Sequence, residues 1–227
     1  MINRGPAFFI TPAFNEAERL KTVVLAAQQA DPSLINTEQV IVVDNNSTDG
    51  TGEVARSLGA LVVPCEEQGK APALAAGVDM ARSLGAKVVT YADADLVNFR
   101  GEHVDALTRP VLEGEALMTI GYLGKRNRIL KGLVYRHWAM FSGQRSLPIE
   151  VWDCLSPRDL RGFRVEAALN SLFRNSGRGN EITRVELAGV SHTGKFDKYP
   201  LARAWWQYAR IEGSAIWGLT TGSGLRD

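Results

Sequence analysis

The stretch KVVTYADAD at residues 87–95 joins an apolar run to two closely spaced carboxylates. The run Lys87–Ala92 predicts a strand that is covered on both faces, as strands in parallel sheets are. Asp93 and Asp95 follow this strand, and their mutual repulsion is costly unless a cation or hydrogen-bond donors offset it. A divalent ion, Mn²⁺ or Mg²⁺, that bridges the carboxylates to diphosphate oxygens supplies this compensation.

Three similar apolar runs precede this strand, at Ala7–Thr11, Gln39–Asp44 and Ala60–Pro64. Apolar residues recur at helical spacing between them, for example across 20–27 and 74–84. Strands that alternate with helices predict an α/β fold, a Rossmann-like α/β/α sandwich with a mostly parallel central sheet.

The pattern loosens after Asp95 but still predicts further elements. We expect helices at Glu102–Glu113, at 128–141 and around Val165–Leu172, with strands at Ala116–Tyr122 and Ile182–Val190. We therefore expect one domain over residues 1–227. It divides into a nucleotide-binding half at about 1–98, an acceptor-binding half at about 99–199, and a C-terminal amphipathic helix at 200–227.

The composition narrows the function classes. The chain has 227 residues, 45% of them apolar, and a net charge of +1, which gives no reason to expect a nucleic-acid partner. Two distant cysteines, Cys65 and Cys154, favour a reducing compartment. No stretch approaches the roughly 20 apolar residues that span a bilayer. We expect a cytoplasmic protein, with the aromatic C-terminal helix either docked on the domain or in peripheral contact with the inner face of a membrane.

The first strand ends in TPAFNE, residues 11–16. Ligands of open α/β sheets gather at the carboxyl ends of strands, so this turn is well placed for binding. It lacks the glycines that a dinucleotide fold or a phosphate-binding P-loop needs there, which disfavours dehydrogenases and kinases. The alternative is a helix start capped by Asn15.

The second strand ends in VDNNSTDGT, residues 43–51. A carboxylate at Asp44 is placed to accept hydrogen bonds from a base or ribose. The residues after it are typical of turns, and Ser47 or Asp49 is expected to cap the next helix.

Lys70 follows Gly69 at a predicted helix start. The ammonium and the free N–H groups there can meet a diphosphate, although a solvated surface lysine is the competing interpretation.

His192 follows a late strand within VSHTGK, residues 190–195. An imidazole can complete a carboxylate-poor metal site, and mixed nitrogen and oxygen ligands suit Mn²⁺ better than Mg²⁺. A lone histidine is more often a surface or hydrogen-bonded residue. His103 and His137 fall in helical patterns and are interpreted as structural.

Cationic side chains cluster after residue 124, at Lys125, Arg126, Arg128 and Lys131. Arg145 follows a Ser-Gly turn, and its guanidinium suggests a receptor for an anion. Glu166 either faces the acceptor, as a base or a hydroxyl anchor, or pairs with an arginine such as Arg145 or Arg164.

Taken together, these segments resemble a family 2 glycosyltransferase with the GT-A fold. The resemblance covers about residues 7–195 and rests on TPAFNEA, VVDNNSTDGT, GKAPAL, YADAD, SGQR, GFRVEAAL and GVSHTGK in that order. Within the family, the chain looks similar to polyprenyl-phosphate sugar transferases and to glucosyl-3-phosphoglycerate synthase-like enzymes. The SGQR segment departs from the acceptor loop of the latter.

The resemblance implies a role for each matching position. Asp95 corresponds to the direct metal ligand, His192 to a late histidine that completes the metal site, and Asp93 to a carboxylate near ribose or metal. The residues implied in donor binding are Pro12, Ala13, Phe14, Glu16, Asp44, Asn46, Lys70, Asp93 and Ala94. Those implied on the acceptor side are Arg128, Gly143, Gln144 and Arg145, with Asp95, Arg145 and Glu166 as the catalytic set.

The predicted reaction is transfer of a sugar from a nucleotide-diphosphate donor to an acceptor, with Mn²⁺ or Mg²⁺ as the cofactor. The acceptor is a small molecule or a lipid phosphate, such as phosphoglycerate or a polyprenyl phosphate. If it is instead an alcohol and the reaction inverts, Glu166, Asp153 or Asp159 is the candidate base. A sugar-phosphate nucleotidylyltransferase and a non-catalytic nucleotide-binding module are the alternatives. A homodimer is among the assembly states considered.

Overall fold

The computed structural model describes residues 5–123, 142–160 and 165–192. Labels follow chain order within these ranges. The strands are β1 (Phe8–Ala13), β2 (Ile41–Asp44), β3 (Leu61–Pro64), β4 (Val88–Tyr91), β5 (Leu96–Val97), β6 (Met118–Leu123), β7 (Gln144–Pro148), β8 (Ile182–Leu187) and β9 (Ser191–His192).

Helices alternate with these strands through most of the described chain. They are α1 (Leu20–Gln28), α2 (Thr51–Ser57), α3 (Lys70–Ser83), α4 (Gly101–Leu112), α5 (Ile149–Trp152) and α6 (Val165–Asn175). A short 3₁₀ helix at Gly179–Glu181 leads into β8.

Seven strands form one sheet in the order β3-β2-β1-β4-β7-β6-β8. Only β7 runs against the others in this sheet, because it pairs antiparallel with both β4 and β6. The remaining pairs are parallel. The predicted α/β class and mostly parallel sheet are therefore confirmed.

Two apolar clusters cover the two faces of the sheet. Alternation along β1 decides the split, since Phe9 packs with α1 and α4 while Phe8 and Ile10 pack with α3 and α6. Strands covered on both faces explain why these segments are apolar at nearly every position.

The four predicted strands of the first half are confirmed, with bounds that shift by at most two residues. The predicted helix at Glu102–Glu113 is α4, and the one around Val165–Leu172 is α6. The predicted strands at Ala116–Tyr122 and Ile182–Val190 are β6 and β8, with shifted bounds. The helices predicted at 128–141 and 200–227 lie outside the described residues.

The fold matters for function because parallel strands end at one edge. Ala13 of β1 lies opposite Asp44 of β2, and Asp44 lies opposite Pro64 of β3. Tyr91, which closes β4, precedes the two acidic residues at the same edge. Ligand sites of open α/β sheets form at this kind of edge.

Candidate active site

Asn15 joins the loops that follow β1 and β2. Its side-chain Oδ1 accepts a hydrogen bond from the backbone N–H of Thr48 at 2.8 Å, and its own N–H donates to Ser47 Oγ at 3.1 Å. Asn15 has a φ of 54°, a left-handed conformation that asparagine adopts more readily than most residues. Asn15 therefore links two loops, and the N-cap position of α1 belongs to Arg19.

Two aspartates organise the β2–α2 turn. Asp44 Oδ1 accepts a hydrogen bond from the N–H of Ser47 at 3.0 Å. Asp49 accepts from the N–H of Thr51, the first residue of α2, and from that of Ala17. Burial raises the pKa of Asp49, but these hydrogen bonds outweigh it and hold the pKa below its usual value. Asp49 thus acts as the predicted capping side chain, one position ahead of the N-cap glycine.

The other predicted donor-binding residues follow β1, β2 or β4 or end β1. Phe14 exposes 42% of its surface and Asn46 is exposed, whereas Ala13 and Ala94 are buried. The remaining two, Pro12 and Glu16, are partly buried. The backbone N–H of Glu16 donates to Thr51 Oγ1, which adds a further link between the two loops.

Asn45 fixes the loop after β3, a role that the sequence pattern did not reveal. Its buried amide donates to the carbonyls of Cys65 and Glu67 at 3.0 and 2.7 Å, and accepts from the N–H of Gly69 at 2.9 Å. The start of α3, which carries Lys70, is thereby held against β2.

Lys70 lies between two carboxylates. Its Nζ is 2.5 Å from Asp93 Oδ1 and 2.7 Å from Glu166 Oε1, and the three side chains are mostly buried. Burial alone would lower the pKa of Lys70, but the two carboxylates outweigh it and raise that pKa. Burial likewise raises the pKa of Asp93, and the charges of Lys70 and His192 reverse this and lower it. Lys70 is therefore a buried partner of Asp93 and Glu166 and not a solvated surface lysine.

Gly143 and Gln144 close this cluster from the side of β7. Gln144 is fully buried and its Nε2 donates to Asp93 Oδ2 at 2.8 Å, while its Oε1 accepts from Ser142 Oγ at 2.6 Å. A Cβ at Gly143 would lie 2.5 Å from Asp93 Oδ2 and closer still to Lys70 Nζ. A Cβ at this position would therefore force the ion pair to shift.

Arg145 differs from its predicted setting. It was expected in an acceptor-facing loop, but it lies within β7 and is fully buried. Its guanidinium donates to Asn170 Oδ1 at 3.0 Å and to the carbonyl of Ser142 at 3.1 Å. The prediction of a loop is wrong, because these residues form a strand that runs antiparallel to its neighbours. Five residues carry no sequence signal for the direction of a strand.

Among the described residues, Glu166 pairs with Lys70 and not with Arg145. It lies in the first turn of α6, and its observed ion pair is with Lys70. Arg164 and Arg128 lie outside the described residues. Of the other candidate bases, Asp153 pairs with Arg82, and Asp159 accepts from the N–H and hydroxyl of Ser156.

A two-residue ladder brings His192 to the second acidic residue. β5, which follows Asp95 directly, pairs with β9 in the register Leu96 to His192. His192 Nδ1 consequently lies 3.2 Å from Asp95 Oδ1, although 97 positions separate them. Burial lowers the pKa of His192, but the hydrogen bond to Asp95 and the charge of Asp93 outweigh it and raise that pKa.

Asp93, Asp95 and His192 form a donor set that fits a divalent ion. Ligand atoms from all three lie within 4.8 Å of one another. Neighbouring ligands of an octahedral ion at about 2.1 Å lie roughly 3.0 Å apart, close to the 3.2 Å between Asp95 and His192. Both oxygens of Asp93 already accept hydrogen bonds, from Lys70 and from Gln144.

Comparison with protein families identifies the region that carries this site. The family described as glycosyl transferase family 2 matches residues 8–168. The match contains both strand-end loops and the acidic cluster, and it stops before His192.

Two archaeal proteins are related in sequence. Glycosyltransferase AglJ of Haloferax volcanii is 29% identical over 180 residues, which cover 76% of this chain and 54% of that protein. An uncharacterised protein of Methanocaldococcus jannaschii is 29% identical over 127 residues, 53% of this chain and 47% of that protein. The matched parts thus span about half the length of these curated relatives.

Solved structures share the fold. Glucosyl-3-phosphoglycerate synthase of Mycobacterium tuberculosis, crystallised with Mn²⁺, UDP and glucosyl-3-phosphoglycerate, has a TM-score of 0.76 and 22% identity, covering 94% of this chain and 80% of that one. A crystal of the same protein with Mg²⁺ and UDP also gives a TM-score of 0.76, at 22% identity over 94% of this chain and 79% of that one. The GT-A fold expected from the sequence is thereby confirmed.

Replacing Asn45 with alanine should destabilise the protein by about 1–3 kcal/mol, because two carbonyls and one N–H lose their buried partner. Chemical denaturation measures this free energy of unfolding. Asn36→Ala, which removes a partly buried side chain hydrogen-bonded to Gln39, is the control and should cost less. Equal costs for the two variants would contradict the role given to Asn45.

Gly143→Ala should leave the protein folded and displace Lys70 from Asp93, since both atoms crowded by the new Cβ are side-chain ends. A displacement of about 1 Å in such a cluster costs on the order of 100-fold in turnover. Gly179→Ala is the matched control, because a Cβ there meets nothing within 4 Å. Steady-state kinetics and thermal unfolding separate the two effects, and unchanged kinetics in Gly143→Ala would contradict the packing argument.

Proposed function

Because the chain belongs to glycosyl transferase family 2, we propose that it transfers a sugar from a nucleotide-diphosphate sugar to an acceptor with the help of Mn²⁺ or Mg²⁺. One observation carries this proposal: ligand atoms of Asp93, Asp95 and His192 converge within 4.8 Å at the carboxyl edge of the sheet. The neighbours crystallised with Mn²⁺ or Mg²⁺ and UDP share this fold and add support.

The nucleotide is assigned to the two linked loops after β1 and β2. Asp44 is held by the N–H of Ser47, and the exposed ring of Phe14 lies on the adjoining loop. In this assignment Asp44 accepts hydrogen bonds from the base or ribose. Pro12, Ala13, Glu16, Asn46 and Ala94 shape the same pocket.

The diphosphate is assigned to the edge between α3 and β5. A divalent ion bound there would neutralise diphosphate oxygens and stabilise the departing nucleoside diphosphate. Asp95 and His192 hold the ion position, and Lys70 keeps Asp93 ionised by direct pairing. Gln144 fixes the orientation of the Asp93 carboxylate, so the site is arranged before the donor binds.

The acceptor is assigned to the side of β7 and α6. The solved neighbour has been crystallised with phosphoglyceric acid, which favours a phosphate-bearing acceptor, and such an acceptor needs no strong base. We place Gly143 and Gln144 on the acceptor side, with buried Arg145 supporting β7 from within, and the role of Arg128, outside the described residues, stays a prediction. For an alcohol acceptor, Glu166 is the preferred base, because it shares Lys70 with Asp93, whereas Asp153 and Asp159 pair with residues outside this cluster.

The cellular location, membrane contact and assembly state of the protein form a separate part of the proposal. Within the described residues, every helix is too short or too polar to cross a bilayer. A lipid-phosphate acceptor, peripheral membrane contact, a cytoplasmic location and a homodimer stay predictions.

A panel of nucleotide sugars tests the proposal. Thermal unfolding should shift upward with the correct donor only when Mn²⁺ or Mg²⁺ is present, since a ligand that binds the native state stabilises it. The same donor should then be hydrolysed slowly, or transferred to a phosphate-bearing acceptor. Binding without turnover would favour a nucleotide-binding module, and synthesis of nucleotide sugar from a sugar phosphate would favour a nucleotidylyltransferase.

Asp95→Asn should abolish metal-dependent turnover, with a loss on the order of 100-fold or more, because the ion contributes several kcal/mol to leaving-group stabilisation. Donor turnover at increasing Mn²⁺ measures this loss. Asp79→Asn on the exposed face of α3 is the charge-matched control. Near-normal activity in Asp95→Asn with an unchanged metal titration would refute the assignment.

A further inference from the structure

His192 follows the turn between β8 and β9, and few hydrogen bonds join this turn to the rest of the protein. The β5–β9 ladder is only two residues long, and the pairing of β8 with β6 ends at Leu187. Between them, the carbonyl of Gly189 accepts a long contact of 3.4 Å from the side chain of Asn98. The carbonyl of Ala188 lies 3.2 Å from His103 Nε2, which is the shorter of the two contacts.

Both ring nitrogens and the face of the His103 ring make contacts in this region. Its Nδ1 accepts a hydrogen bond from the backbone N–H of Arg100 at 3.0 Å, at the start of α4. Its ring stacks on Phe99, with centroids 5.7 Å apart and planes 18° apart, and only 7% of the residue is exposed. The N–H of Arg100 can only donate and the carbonyl of Ala188 can only accept, so the neutral tautomer with hydrogen on Nε2 satisfies both.

Capping of α4 explains the contact at Nδ1 of His103 but not the contact at Nε2. A side chain that capped the start of α4 would need one acceptor, and Nδ1 supplies it. The second nitrogen is directed to a carbonyl 85 positions away, in the turn that leads to the proposed metal ligand.

We propose that His103 is a positioning residue for His192. Its Nε2–H holds the turn at Ala188 against α4, so that the imidazole of His192 stays opposite Asp95. The inference rests on the proposed function through the ion site at Asp95 and His192. It does not require His103 to touch the ion or the donor.

The expected consequence is a loss of preorganisation at the ion site. Without the hydrogen bond to Ala188, the turn keeps the longer contact to Asn98, the two-residue ladder and the buried side chain of Val190. Partners outside the metal's own ligands typically affect affinity 10–100-fold, and His103 lies one step further away. We therefore expect an effect at the lower end, about tenfold.

Two substitutions separate the capping of α4 from the hydrogen bond to Ala188. His103→Asn keeps an acceptor near the Nδ1 position for Arg100 but is too short to reach Ala188. His103→Gln places an amide N–H near the Nε2 position and can still donate to Ala188. His103→Met, which matches glutamine in length and lacks a donor, replaces the asparagine variant if that variant does not fold.

Two measurements test the hydrogen bond from His103 to Ala188 without relying on turnover. Mn²⁺ binding to the full chain, measured by electron paramagnetic resonance, should weaken about tenfold in His103→Asn and much less in His103→Gln. Hydrogen exchange at the backbone amides of residues 188–192 should accelerate in His103→Asn and stay near the wild-type rate in His103→Gln.

The outcomes distinguish this inference from the proposed function. Wild-type Mn²⁺ affinity and exchange in His103→Asn, or equal losses in His103→Asn and His103→Gln, would overturn the role of His103 while the ion site stands. If His192→Ala binds Mn²⁺ as tightly as the wild type, the ion site fails and the positioning role fails with it. The exchange rates then still show whether the turn is tethered.

Discussion

The ion pairs of Lys70 with Asp93 and Glu166 are the interaction on which the site depends. Carboxylates that follow a buried strand repel one another and resist burial, so each needs a compensating positive charge. Lys70, the first residue of α3, supplies that charge to Asp93 at 2.5 Å and also to Glu166 on α6 at 2.7 Å. Gly143, directly before β7, leaves room for the ion pair of Lys70 with Asp93.

Because Lys70 compensates Asp93, the two acidic residues after β4 have different roles. Asp93 is neutralised within the protein and oriented by Gln144, so its charge is settled before any ligand arrives. Asp95 faces His192 instead, and in the proposed function this pair offers one oxygen and one nitrogen to an incoming ion. A site built in this way needs little rearrangement when the donor binds, which is what preorganised electrostatic catalysis requires.

The sequence was informative wherever a signal was local or came in a fixed order. Continuous apolar runs predicted the parallel strands, and the position of Asp93 and Asp95 after the fourth run predicted the acidic edge. The order of motifs pointed to His192, although its contact spans 97 positions. Arg145 and Asn45 were misplaced or missed, because an antiparallel insertion and a buried amide become visible only when distant segments pack together.

The central claim is that Lys70 compensates Asp93 while Asp95 and His192 bind the ion. Anomalous scattering from Mn²⁺ in crystals grown with a nucleoside diphosphate measures this directly. We predict a peak within bonding distance of Asp95 and His192, with Lys70 still paired to Asp93. A peak elsewhere, or Lys70 withdrawn from Asp93 while the ion takes its place, would contradict the account.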